Sequence, residues 1–456
     1  MSKEFTSCNV KSIKYLLGGN ILKEKHLVVI SVDALVYEDL EYAKELPVFG
    51  HILRNGSIIK RVKTIYPALT HPVHASLITG CPAGVTGIYA NEVFGITTGK
   101  RKWFNFLDEI KCDTILHAAK RAGLKTAVCR WPVTAGDNSI VDYLIPEFFQ
   151  DYLTGYERDV VGAYKNVGSN DNVADIIREM VENYGTTNTH PTYDESQIFA
   201  ASEIIKKFKP NLMLIHPGYV DDARHRTGLF TDEVKEAVRL TDKWLEQIFF
   251  AVEEAGIKDS TDIIVLSDHG HLNVCRSVCP NVFLADKGYI TLDDDGKMLS
   301  WKAYAVSCGL SAQIYLSDKS DKKLHDDVYE MLKDMAEEGL YGFESVFTAK
   351  EVKDKYGLSG DFSFVLETDG YSDFNESLTR PAVRVVDISD YRYGRTNHGH
   401  MPEKGPQPPF MAIGPSFKKG VVVENGDILN HAPTFAKVLG ITLPETQGVA
   451  VDEILI

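Results

Sequence analysis

Short apolar runs, each closing on or beside a polar residue, constrain this chain more than any other feature. They are 26–32 (HLVVISV), 125–131 (KTAVCRW), 211–216 (NLMLIH), 262–267 (DIIVLS) and 409–413. Unbroken apolar runs of this length belong to strands buried on both faces of a parallel sheet. A β-branched run (Ile58, Ile59, Val62, Thr64, Ile65) adds another. Between them lie helical patterns over 108–122, 193–208 and 231–254. The last has Asp232 and Glu233 in its first turn and Val234, Val238, Leu245, Phe249 and Val252 on one face. Strands alternating with helices predict an α/β fold, a mainly parallel central sheet flanked by helices on both faces.

With 456 residues the chain exceeds what one core usually fills, so an insertion or second domain is expected. The character changes between Cys275 and about Asp390. Short strands are expected over 303–308 and 312–316, a charged helix over 322–338, and a turn-rich tract over 359–377. This predicts a lead-in over 1–25, a main domain over 26–275 and 391–456, and an inserted α+β cap over 276–390. A closing helix is expected over 427–440, with Pro433 inside it.

Lys+Arg 49 against Asp+Glu 64 gives a net charge of −15, which argues against a nucleic-acid polymer as partner. An anionic substrate then needs a local reversal of sign, which bound cations would supply. The seven cysteines are scattered, and the Cys275/Cys279 spacing reads as incidental. No signal-peptide pattern is visible and no stretch approaches about eighteen apolar residues, so the expectation is a cytoplasmic protein with no membrane partner.

The chemistry concentrates at the strand ends, where open α/β sheets bind ligands. In YPALTHPVHASLITG (66–80), Thr70 lies between Pro67 and Pro72, with a helix expected from near Val73. A hydroxyl there sits beside unpaired helix N–H groups that favour anions. Asp33 ends the first run. Asp221 and His225 follow the NLMLIH run, on an expected loop. Asp268 and His269 lie in SDHGH, and His398 lies in TNHGHMP. Carboxylates and imidazoles converging from separate strands repel or stay unpaired unless cations sit among them. Mixed Asp/His ligation suits zinc or a similar transition ion.

Seven motifs then carry a resemblance: SVDA, YPALTHPVHASLITG, VTGIYAN with Asn91, RWPVTAG with Trp131, DDARH, SDHG and NHGH. Their order resembles the alkaline phosphatase superfamily, and most closely its nucleotide pyrophosphatase/phosphodiesterase branch, over roughly 26–275 and 395–450. The resemblance implies two divalent metal ions, usually zinc, with manganese as the alternative. One would be held by Asp33, Asp268, His269 and the Thr70 oxygen, the other by Asp221, His225 and His398, with Asp222 as the competitor of Asp221. It implies Thr70 as the nucleophile, a phospho-threonine intermediate, and Asn91 donating to a non-bridging phosphate oxygen. The substrate would be a small phosphodiester or a nucleotide.

Departures keep alternatives open. Cys81-Pro82-Ala83-Gly84 is not a sulfatase signature. Phosphonoacetate hydrolase-like enzymes also use threonine, and a phosphomonoesterase remains a further alternative. A non-catalytic metal-binding sensor is the alternative from another class. Where relatives acting on nucleotides often carry an aromatic residue after the threonine, this chain has His71, which with Trp131 is the expected substrate contact. His74, His271 and His400 read as structural histidines.

Overall fold

The computed structural model describes residues 25–136, 138–148, 158–186, 188–389 and 394–456. Of the lead-in expected over 1–25, only Lys25 falls among them. The central sheet holds eight strands: β1 (His26–Ser31), β2 (Ser57–Lys63), β3 (Thr126–Cys129), β4 (Tyr143–Ile145), β5 (Leu212–Ile215), β6 (Thr261–Leu266), β7 (Phe410–Ile413) and β8 (Val422–Asp427). Their order is β8-β2-β7-β6-β1-β5-β3-β4. Every pairing is parallel except those of β7, which runs antiparallel to both β2 and β6.

The apolar runs are continuous because each strand feeds two cores. Leu27 and Val29 of β1 join one cluster, and Val28 and Ile30 the other. Leu212/Leu214 against Met213/Ile215 divide in the same way, as do Ile264/Leu266 against Ile263/Val265. Successive strand side chains point to opposite faces, so both faces must be apolar. Helices α1 (Thr70–Thr79) and α5 (His431–Leu439) cover the first face. Helices α2 (Thr192–Phe208) and α4 (Asp232–Glu254) cover the second. In α4 the expected boundary holds in detail: the Thr231 side chain accepts from the Val234 N–H as the N-cap.

Residues 303–374 contain a separate antiparallel sheet, in the order Ala303–Cys308, Ser311–Leu316, Phe364–Thr368, Phe343–Thr348. One face (Ala305, Ile314, Leu366) packs under the helix Lys322–Glu338. The other (Cys308, Tyr315, Val365) packs on the main core.

Three local expectations need correcting. The helix expected over 108–122 reduces to Ile115–Arg121, capped by the Thr114 side chain, after a single turn at Leu107–Glu109. The tract over 359–377 holds two strands, Phe364–Thr368 and Ser372–Phe374, whose aromatic side chains are buried despite the turn residues around them. The closing helix starts later than Asp427, which instead caps a single turn at Ile428–Asn430. Pro433 is then in the first turn of α5, where its missing N–H costs nothing.

His431 opens α5 buried, its ring stacked on Phe410 at 4.8 Å and its Nδ1 2.8 Å from the Ile428 carbonyl. Burial pushes its pKa down to about 4. A depressed histidine contributes stability that is present above its unfolded value near 6.5 and lost as pH falls toward 4. His431→Phe should therefore narrow the loss of stability between pH 7 and pH 4.5 by on the order of 2 kcal/mol, read from denaturant midpoints at the two pH values.

Candidate active site

The site residues meet at the carboxyl edge of β1 and β6 and above the start of α1. Asp33 leaves β1, and Asp268 and His269 leave β6, the neighbouring strand. Thr70 is the first residue of α1, three positions earlier than the apolar pattern suggests, because Pro72 is tolerated in a first turn. Asp221 and His225 lie on a helix, α3 (Tyr219–Thr227), not on a loop. Their four-residue spacing puts both on one face. The sequence YVDDARHRT has no apolar stripe to reveal that helix. His398 follows a two-stranded ribbon, Thr396–Asn397 paired with Leu272–Asn273. Gly399 lets that turn press inward: its φ is 98°, and a Cβ there would stand 2.0 Å from the Cys308 carbonyl.

Two clusters adjoin. In the first, His269 Nε2 lies 3.3 Å from Thr70 Oγ1, 3.2 Å from Asp268 Oδ2 and 3.5 Å from Asp33 Oδ1. In the second, Asp221 Oδ2 lies 3.4 Å from His225 Nε2, and Asp221 Oδ1 lies 3.9 Å from His398 Nε2. The His269 and His398 rings stack at 3.9 Å, joining the two. Asp222 pairs with Arg226 at 2.6 Å and is not part of the cluster. His225 and His398 each place Nδ1 against a backbone carbonyl, of Thr396 at 2.8 Å and Ala68 at 3.0 Å. That arrangement fixes the tautomer and presents Nε2 inward, as metal-ligating histidines do.

His271, read from the sequence as structural, stands within the second cluster, with Nε2 2.7 Å from Asp221 Oδ1 and Nδ1 2.8 Å from Thr396 Oγ1. Its position two residues after His269 is the one signal that could have indicated it. His400 faces the Lys404 carbonyl, and His74 faces the Thr70 carbonyl but also lies 3.6 Å from Asp268 Oδ2, in a third buried group with His216.

The electrostatics are costly without cations. Burial, then Asp268 and Asp221, push the Asp33 carboxyl well above its usual range. Burial pushes Asp268 up to about 6. Burial opposes the ionisation of Asp221, yet His225 and the hydrogen bond from His271 hold its carboxyl well below the usual range. Burial pushes His269 down, and His398 down to about 4, so both rings stay neutral. Two buried carboxylate oxygens, Asp33 Oδ1 and Asp268 Oδ2, have no hydrogen-bond partner. Neutral imidazoles facing orphaned carboxylate oxygens are a donor set that fits divalent cations of the zinc class.

A pocket opens beside this edge, lined by Leu69, Asn91, Glu92, Arg101, Trp103 and His398 among others. The Asn91 carbonyl oxygen accepts from the His71 N–H at 3.0 Å, which directs its amide nitrogen elsewhere. The expected substrate contacts His71 and Trp131 are both buried. The Trp131 ring lies against His74 at 4.8 Å, with its Nε1 donating to the His74 carbonyl. His71 sits 5.1 Å from Trp103. The aromatic side chain that lines the pocket is Trp103, at the end of a hairpin (Glu92–Gly95, Lys100–Trp103) that the charged sequence KRKW conceals.

Fold and site together define an alkaline phosphatase-like metallohydrolase architecture. The chain belongs to the type I phosphodiesterase/nucleotide pyrophosphatase family, whose sequence profile matches residues 27–385. The match runs without a break through residues 276–385 and stops short of His398, unlike the two-part span read from the motifs. Human ectonucleotide pyrophosphatase/phosphodiesterase family member 5 is 23% identical over 444 residues, covering 93% of this chain and 76% of that protein. Human family member 1 is 20% identical over 231 residues, covering 49% of this chain and 21% of that protein. The solved structure of murine family member 5 superposes with a TM-score of 0.66 at 19% identity, covering 95% of this chain and all of that one. An inactive variant of the murine protein in complex with AMP gives 0.67 at 18% identity and the same coverage.

Purified protein should carry about two divalent ions per chain. Asp221→Ala should lower that to about one without unfolding the protein, as read by elemental analysis beside a melting curve. An unchanged metal content would remove Asp221 from the ligand set.

Proposed function

We propose that this protein hydrolyses phosphodiester or pyrophosphate bonds of small nucleotide-like substrates, with Thr70 as nucleophile and two zinc ions as cofactor. One observation carries the reading. The Thr70 hydroxyl stands 3.3 Å from His269 Nε2, at a helix start that faces two orphaned carboxylate oxygens. In this reading Asp33, Asp268, His269 and Thr70 hold one ion, and Asp221, His225 and His398 the other. Such ions neutralise a phosphoryl group and lower the pKa of a bound hydroxyl, as zinc lowers that of water from 15.7 to about 7.

The chain's own residues do the rest. The first-turn N–H groups of α1 offer partial positive charge to the phosphate, and Asn91 donates to a non-bridging oxygen. Thr70 Oγ gives up its proton to solvent and bonds to phosphorus as the bond to the departing oxygen breaks in line, the departing group taking a proton from water. Water then attacks the phospho-threonine ester, releasing the phosphorylated product and restoring Thr70. Trp103 supplies the aromatic wall for the organic part of the substrate, with His71 backing it from the core. The 276–390 segment acts as the cap that closes the pocket, since Ser307 and Gly309 line it.

The six cysteines among the described residues are free, which favours a reducing compartment, the cytoplasm. Among the described residues no helix is long and apolar enough to cross a membrane.

Thr70→Ala should lower kcat on bis-(p-nitrophenyl) phosphate by on the order of 1,000-fold or more, about 4 kcal/mol of barrier, with its metal content largely kept. Wild type should prefer that diester to p-nitrophenyl phosphate. A preference for the monoester would overturn the diesterase reading, and absence of turnover on any phosphoester would favour the metal-binding sensor.

A further inference from the structure

Two buried titratable residues stand against the machinery without a part in the reaction: His216 and Glu147. His216 follows β5, the strand beside β1, and Glu147 lies two residues past β4. His216 Nε2 lies 3.2 Å from Asp33 Oδ2, and His216 Nδ1 lies 3.5 Å from Glu147 Oε2. All three side chains are buried. Both contacts are within ion-pair distance, and neither meets the geometry of a hydrogen bond.

The two oxygens of Asp33 are thereby divided. Oδ2 faces the imidazole, while Oδ1, the orphaned one, faces His269 Nε2 at 3.5 Å. His74 hems His216 in without competing for it. Its ring meets His216 edge-on at 4.2 Å, while its nitrogens serve the Thr70 carbonyl and Ser31 Oγ. Both nitrogens of His216 face carboxylate oxygens, so the ring bridges two buried acids. A carboxylate that ligates through one oxygen needs its other oxygen held, or it rotates away from the ion. Partners of this kind typically set 10- to 100-fold in metal affinity.

We propose that Glu147 and His216 are positioning residues for Asp33. They form a chain of side-chain contacts along the carboxyl edge of the sheet that turns Asp33 Oδ1 toward the first cation. This rests on the reading of Asp33 as a ligand. His216 orients Asp33 directly, and Glu147 acts only through His216. The second cluster, around Asp221, has its own supports in Thr396 and Ala68 and does not depend on the chain.

The test is zinc affinity at each site, measured by competition with a chromogenic chelator on the full chain. Asp33→Ala and His398→Ala serve as references that mark the two sites. His216→Leu should weaken the site lost in Asp33→Ala by about 10- to 100-fold and leave the other unchanged. His216→Gln, which keeps a donor toward Asp33, should recover most of that loss. Glu147→Gln should weaken the same site alone, yet add nothing in the His216→Leu background. If Asp33→Ala loses a site while His216→Leu and Glu147→Gln bind as wild type, the positioning role is overturned and the ligand reading stands. If Asp33→Ala also binds both ions as wild type, the ligand reading itself fails. Should His216→Leu fail to fold, unchanged first-site affinity in Glu147→Gln alone overturns the proposal.

Discussion

Three carboxylates, Asp33, Asp221 and Asp268, come together at one end of a buried sheet, and their mutual repulsion is the constraint on which the rest of the site depends. Asp33 is pushed far up by burial and by the other two, and Asp268 rises to about 6. Burial keeps the His269, His271 and His398 rings neutral, whereas His216, between Asp33 and Glu147, is against the effect of burial pushed up by those two acids. Neutral rings cannot balance the charge, although they can share a cation with it. The chain therefore concentrates acid where it would process an anion, and divalent ions held there would reverse the sign.

The scaffold makes this concentration tolerable. Strands buried on both faces hold their ends rigidly, and each acid lies on or beside a different packed element, so none can relax without moving that strand or helix. Supports then divide the labour. Backbone carbonyls of Thr396 and Ala68 fix two histidines, the Ala34 N–H holds Asp268 Oδ1 at 3.1 Å, and Gly399 allows the His398 turn its close approach. Thr70 depends on α1 for both its position and its electrostatic setting.

What could be read from the sequence follows from this physics. Asp33, Asp268 and His269 were legible because each sits where an unbroken apolar run stops. The sheet was legible for the same reason, although the antiparallel sense of β7 was not, since an apolar run carries no direction. The helix bearing Asp221 and His225 was hidden because its polar sequence owes its place to tertiary contacts and not to an amphipathic stripe. The hairpin carrying Arg101 and Trp103 was concealed by charge: Arg101 pairs with Glu92 at 2.6 Å and with Glu376, far along the chain, a partner no local pattern reveals. Trp131 looked available in RWPVTAG and is instead fully buried against His74. His271 looked structural and joins the second cluster, because which way a loop histidine turns is decided by Thr396, more than a hundred residues away.

The most direct measurement is anomalous diffraction at the zinc edge from crystals of the zinc-loaded protein. The account predicts two peaks about 4 Å apart. One should lie among Asp33, Asp268, His269 and Thr70, and the other among Asp221, His225 and His398. A single peak, or peaks away from these side chains, would contradict it.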